Sequence, residues 1–230
     1  MNPARPHVAP SRYRYAYLLA SLLLVITIRP FLAERVLGVG LIEAFLFITV
    51  VAGAYATAAG RRKGLILGAL AALSVLARVA WLLHGTESLL YGFLGCYIAF
   101  YSVVAFSLIR SLFQAQDRIT ADTLCGAFSV YLILGLLWTM AYAILESAAP
   151  GSFHFSMDGA PPEARFDRFL GFSFTTLTTL GYGNVAPATP QADAMTTLEA
   201  IVGQVYLVIV IARLVALQIA QGNKSPEAHD

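Results

Sequence analysis

The chain has 230 residues, 58% of them hydrophobic and only 12% charged, with a mean hydropathy of +0.72. A soluble domain carries about 25% charged residues, so the composition excludes an ordinary water-soluble protein and predicts one solvated by lipid. The formal net charge of +2 is too small to suggest a nucleic-acid partner, and the two cysteines, Cys96 and Cys125, give neither a disulfide framework nor a metal spacing.

A spanning helix needs about 20 mainly apolar residues. In chain order, about six such stretches are found, at residues 16–33, 41–59, 64–83, 89–113, 123–145 and 192–220. The first follows a basic N-terminus, but no A-x-A-like cleavage site follows it and Arg29-Pro30 interrupts instead, so it is expected to be a retained helix. The second and third carry small residues four apart (Ala52, Ala56, Gly60; Gly64, Gly68, Ala72), a spacing that lets helices approach closely in lipid. Arg12, Arg14, Arg61, Arg62, Lys63, Arg110 and Arg118 fall in connections on one side. His84, Glu87, Glu146, Asp158, Glu163 and Asp167 fall on the other, so the positive-inside rule predicts that both termini are cytoplasmic. Arg29, Arg35, Arg165 and Arg168 are exceptions that weaken the count without reversing it.

The fourth stretch is too poor in charge to respond steeply to the transmembrane voltage. Steep sensing needs several regularly spaced arginines, and only Arg110 stands here, at the end. Arg78 and Glu43 read as a buried polar pair or as topological anchors.

After the fifth stretch the chain changes in kind. SAAPGSFHFSMDGAPP reads as a polar outer loop. EARFDRFLGFSFTTLTT reads as a short helix, with Pro161 and Pro162 in its first turn and an apolar run, 166–177, too short to cross. TTLGYGN follows, then VAPATP, which returns the chain to the surface. Irregular backbone at membrane depth survives only where it is buried in protein or lines a watery cavity, so TTLGYGN is expected to line a pore.

Its residues suit a cation. Stripping water from a monovalent ion requires carbonyl oxygens in place of the hydration shell. Successive carbonyls point the same way only if residues alternate between ordinary and left-handed conformations, which is cheap for glycine. Gly181 and Gly183 stand at alternate positions; Leu180 and Tyr182 are expected to turn outward against the short helix, and the Thr179 hydroxyl to add a further ring of oxygens.

The run TTLTTLGYGN resembles the selectivity-filter signature of potassium channels, written TVGYG, with leucine in place of valine. The matching residues are Thr179, Leu180, Gly181, Tyr182 and Gly183, and the likeness extends over roughly 122–220: span, polar loop, half-length helix, filter, span. The resemblance implies K+ held at Thr179, Leu180, Gly181 and Tyr182, with Thr175, Thr178 and Asn184 as filter supports. One filter per chain cannot close a ring of four, so it also implies a homotetramer.

Many relatives carry aspartate after the second glycine, bonded to an acid or tryptophan of the pore helix. Here Asn184 stands there, and the facing positions are Thr175, Phe172 and Gly171, so the brace must be neutral or different.

In the last span Gly203 lies 20 residues after Gly183, where the family often has a hinge; it reads as a hinge or as a helix-packing glycine. Leu207, Ile211 and Val215 either line an inner gate that closes by dewetting or face lipid or the fifth span. Glu199 is expected behind the filter, bracing the pore helix through a structural hydrogen bond or else binding an ion, Gln204 towards the cavity, and Arg213 as a snorkelling anchor.

The expected fold is therefore an all-α membrane protein with six transmembrane helices, a re-entrant pore helix and a filter loop. A cytoplasmic tail (1–15), a four-helix domain (16–113), a linker (114–122), a pore domain (123–220) and a second tail (221–230) follow in order. With the short final tail no cytosolic ligand-binding domain is expected, and His84 and His154 on outer loops read as solvated. The expected activity is passive, potassium-selective conduction across the plasma (inner) membrane. Its partners are further copies of the chain, membrane lipids and K+, with no cofactor. The alternative is a nonselective or non-conducting sensor or accessory subunit. An enzyme is not expected, since His7, His84, His154 and His229 are scattered and no catalytic constellation stands out.

Overall fold

The computed structural model describes residues 13–32, 48–49, 51–53, 55, 61–114, 120–156 and 164–222. Helices α1 (Arg14–Leu32), α2 (Arg61–His84), α3 (Glu87–Gln114) and α4 (Ala121–Ala148) come first. Strand β1 (Phe153–Phe155), helix α5 (Ala164–Leu177), strand β2 (Val185–Pro187) and helix α6 (Pro190–Gly222) follow. α2, α3, α4 and α6 are each long and apolar enough to cross a membrane, while the apolar part of α1, Arg14–Ile28, is shorter. The chain is a mostly helical, multi-pass membrane protein. Of the second predicted stretch, 48, 49, 51–53 and 55 are helical and the remainder, with Glu43, lies outside the described residues.

α4 is the organising element: α1, α3 and α5 all pack on it, and α2 packs on α3. Its start is fixed by a reciprocal cap, in which Thr120 Oγ1 accepts from the Thr123 amide (3.2 Å) and Thr123 Oγ1 from the Thr120 amide (3.4 Å). The core between these helices is aromatic, running Trp81, Phe93, Tyr97, Tyr101 with ring centroids 5.5–6.1 Å apart. Polar tips inside it are paired, as where Tyr101 and Thr49 share a hydrogen bond of 2.8 Å.

The starts of α1 and α4 and the ends of α3 and α6 meet on one face. Asp122 Oδ1, in the first turn of α4, accepts from the amides of Tyr15 (3.0 Å) and Ala16 (3.1 Å), placing a carboxylate on the open N-terminus of α1. The Tyr15 hydroxyl bonds Ser111 of α3 (2.9 Å). Arg213 of α6 donates to the Leu112 and Phe113 carbonyls (3.2 and 2.7 Å) and lies over the Phe113 ring, satisfying carbonyls left open in the last turn of α3. The snorkelling anchor expected at Arg213 is thus a link between helices.

At the other face the segment expected to be a polar loop is partly buried and partly a strand. Phe153 is 4% exposed, packed with Tyr142, Phe169 and Phe172. β1 pairs antiparallel with β2, Phe153 opposite Pro187, His154 opposite Ala186 and Phe155 opposite Val185. This short two-stranded pairing is the addition to an otherwise helical fold. The physical reason is that an irregular main chain beside the membrane needs hydrogen-bond partners, and the segments before and after α5 supply each other's. Glu146 closes the turn, its carboxylate oxygens accepting from the amides of Gly151 (3.0 Å) and Phe153 (3.1 Å).

Candidate functional site

α5 has 14 residues, about 21 Å at 1.5 Å per residue, short of the ~30 Å hydrocarbon thickness. One side of it lies on α4, where Phe174 packs so closely on Gly135 that a Cβ there would sit 2.7 Å from the ring. The helix ends in a paired Schellman pattern: the Leu180 amide donates to the Thr175 carbonyl (2.7 Å) and the Thr179 amide to the Thr176 carbonyl (3.0 Å). The residue this pattern sets left-handed is usually glycine; here it is Thr179, with φ 59°. A β-branched residue is costly there, on the order of 1–2 kcal/mol.

From that point handedness alternates. Thr179, Gly181 and Gly183 have φ of 59°, 59° and 74°, while Leu180 and Tyr182 between them are not left-handed. This alternation is what turns successive carbonyls to one side. Thr175 supports the segment through its carbonyl, which receives the Gly181 amide (3.2 Å) as well as that of Leu180, and its own hydroxyl bonds the Phe172 carbonyl (2.9 Å). The Thr178 hydroxyl bonds the Phe174 carbonyl (2.6 Å), and that of Thr179 the Thr178 carbonyl (2.6 Å). The Asn184 carbonyl accepts from both the amide and the hydroxyl of Ser156 (3.1 Å each), tying the far end of the segment to the residue after β1.

Leu180 and Tyr182, expected to turn outward against the short helix, are 56% and 74% exposed in the single chain. The reason is spatial, because Phe169, Phe172 and Phe174 face α4 and the aromatic cluster, leaving these two side chains on the open side.

Behind α5 lies a polar network around Glu199, the residue expected there; its partners Tyr142 and Ser173, and the neighbouring Tyr131 and Tyr206, were not anticipated. Glu199 of α6 is fully buried and accepts hydrogen bonds from the hydroxyls of Tyr142 in α4 and Ser173 in α5. Ser173 Oγ is also 2.8 Å from the Gly135 carbonyl. Tyr131 of α4 donates to the Leu177 carbonyl at the foot of α5 (2.9 Å), and its ring stacks on Tyr206, whose hydroxyl bonds the Ala127 carbonyl (2.7 Å). The signal that finds Tyr131, Tyr142 and Tyr206 is a hydroxyl-tipped ring inside a lipid-facing span, which requires a partner.

Gly203 is buried against the same foot: a Cβ on it would sit 2.7 Å from Leu177 Cδ2 and 3.2 Å from the Leu177 carbonyl. α6 runs unbroken through it. Leu207 is half-buried, whereas Gln204, Ile211 and Val215 lie on the exposed face of α6. In the front half the Arg78 guanidinium lies 4.6 Å from the Trp81 ring centre and 4.7 Å from that of Phe93.

Residues 127–218 match a family model described as an ion channel. Over 91 residues the chain is 33% identical to the inward rectifier potassium channel Kirbac3.1 of Paramagnetospirillum magnetotacticum, a match covering 38% of this chain and 26% of that protein. The likeness is to ion channels, and here to a potassium channel. The chain thus aligns with about a quarter of the length of the curated relative it matches. No solved structure matches. The family-model match falls on α4 to α6, the part of the chain that holds the alternating segment, and both likenesses point to a channel rather than an enzyme.

Proposed function

We propose that the chain is a subunit of a potassium-selective channel in which four copies surround one axis and Thr179–Gly183 of each forms the filter. One observation carries the reading: at the end of a helix too short to cross the bilayer, the main chain alternates in handedness at Thr179, Gly181 and Gly183. Four such segments facing one another make rings of carbonyl oxygens, from Thr179 to Tyr182, that replace the hydration shell of K+. Dehydrated ions step between rings under mutual repulsion, and the Thr179 hydroxyls supply the innermost oxygens. The exposed Leu180 and Tyr182 side chains are the surface on which neighbouring copies close, which accounts for their lack of cover in a single chain. Leu207 and Ile211 line the inner mouth, and the face bearing Arg110 and Arg213, with both termini, is cytoplasmic.

The test is flux from liposomes holding the purified chain under a potassium gradient, comparing K+, Rb+ and Na+ with and without Ba2+. Barium-sensitive flux of K+ and Rb+ exceeding that of Na+ is expected, and Gly181→Ala or Tyr182→Ala abolishes the preference. Barium-insensitive flux with no preference, or none at all across lipid compositions, supports instead a nonselective or accessory subunit.

A further inference from the structure

We infer that Glu199 is the positioning residue of the filter, a carboxylate brace delivered from α6 rather than from the pore helix itself; this rests on the channel reading above. The positions from which a pore-helix brace would come are Thr175, Phe172 and Gly171, and none carries a charge or an indole. The brace is supplied from behind. Glu199 is 0% exposed, and its two carboxyl oxygens accept from two different helices, Tyr142 of α4 and Ser173 of α5. A carboxyl group at this depth persists only with partners for both oxygens, and these two hydroxyls are its partners.

From Ser173 the path to the filter is short. Thr175, two residues on, holds the Leu180 and Gly181 amides on its carbonyl, so a displacement of this turn of α5 moves the start of the alternating segment directly. The same helix end is held once more from α6, by Gly203 against Leu177, and from α4 by the Tyr131 hydroxyl on the Leu177 carbonyl. Of these contacts, the one at Glu199 joins three helices through side chains alone, and it is the one that can be removed without touching the main chain of the filter.

The hydrogen-bond inventory makes the inference testable. Ser173 has one hydroxyl proton and two acceptors in reach, Glu199 and the Gly135 carbonyl. Glutamine at 199 still accepts from Tyr142 and donates to Ser173, which then serves Gly135, so Glu199→Gln preserves the junction between helices. Glu199→Ala removes it, taking the carboxyl acceptor from the Tyr142 hydroxyl and leaving Ser173 only the Gly135 carbonyl. Tyr142→Phe combined with Ser173→Ala removes the same bonds from the other side without opening a large cavity.

Two readouts are taken on protein that keeps the wild-type size-exclusion profile: the K+ over Na+ flux ratio with barium sensitivity, and the hydrogen-exchange rates of the Leu180 and Gly181 amides. Glu199→Ala and the Tyr142→Phe/Ser173→Ala pair are expected to lower the flux ratio and barium sensitivity and to speed exchange by roughly tenfold. Glu199→Gln is expected to stay near wild type in both. Wild-type ratio and exchange in the double variant, or Glu199→Gln behaving like Glu199→Ala, overturns the brace. Should wild type conduct nothing, the channel reading fails, while the exchange rates still decide whether Glu199 fixes this segment.

Discussion

Gly203 has room for a hydrogen and nothing more, since Leu177 stands 2.7 Å from where a Cβ would lie. Gly203→Ala must push Leu177 at the foot of α5, so it is expected to cost about 1–3 kcal/mol of stability, the usual range for overpacking, read by thermal unfolding. It is also expected to lower K+ over Na+ selectivity, because Leu177 lies two residues before the filter. A residue acting only as a bend in the helix changes open probability and leaves selectivity alone, so the pair of measurements separates the two roles. The spacing of Gly181 and Gly183 made their left-handed φ legible in the sequence, because glycine is where such φ is cheap. Thr179 was legible as an oxygen donor but not as a left-handed residue. Its conformation comes from the helix-end pattern built by the Thr175 and Thr176 carbonyls, against the preference of its own side chain.

Among the elements, the pairing of β1 with β2 and the buried Glu146 turn fix the segment between α4 and α5. Glu146→Ala removes the acceptor of two amides at once, Gly151 and Phe153, each costing about 1–3 kcal/mol if left unpaired out of water. The expected outcome is faster hydrogen exchange at those two amides and at Ser156, with α4 unaffected; unchanged exchange at all three counts against the turn being held this way. The long helices were legible to within a few residues, as where the stretch 123–145 became Ala121–Ala148, because an apolar run of membrane length has one stable form in lipid. The strands were not. Three residues carry no periodicity, and what makes Phe153–Phe155 a strand is Val185–Pro187, which lies beyond α5.

Across the whole molecule, Arg213 of α6 ties the proposed gate region to the front half, its two hydrogen bonds ending on α3. Arg213→Gln is expected to shift the open probability of reconstituted channels and to speed exchange in the last turn of α3, leaving ion selectivity unchanged; wild-type gating in that variant would separate the two halves functionally. This link was illegible because the sequence names a cation near a helix end and not the carbonyls it reaches. The carboxylate of Asp122 has a different consequence, one of time. α1 is made first and its apolar part is short, yet the group that satisfies its leading amides lies 107 residues further along the chain. At ordinary rates of synthesis that is on the order of 5–20 s. Over that interval α1 lacks its cap, so its placement is provisional and becomes final only when the beginning of α4 arrives beside it.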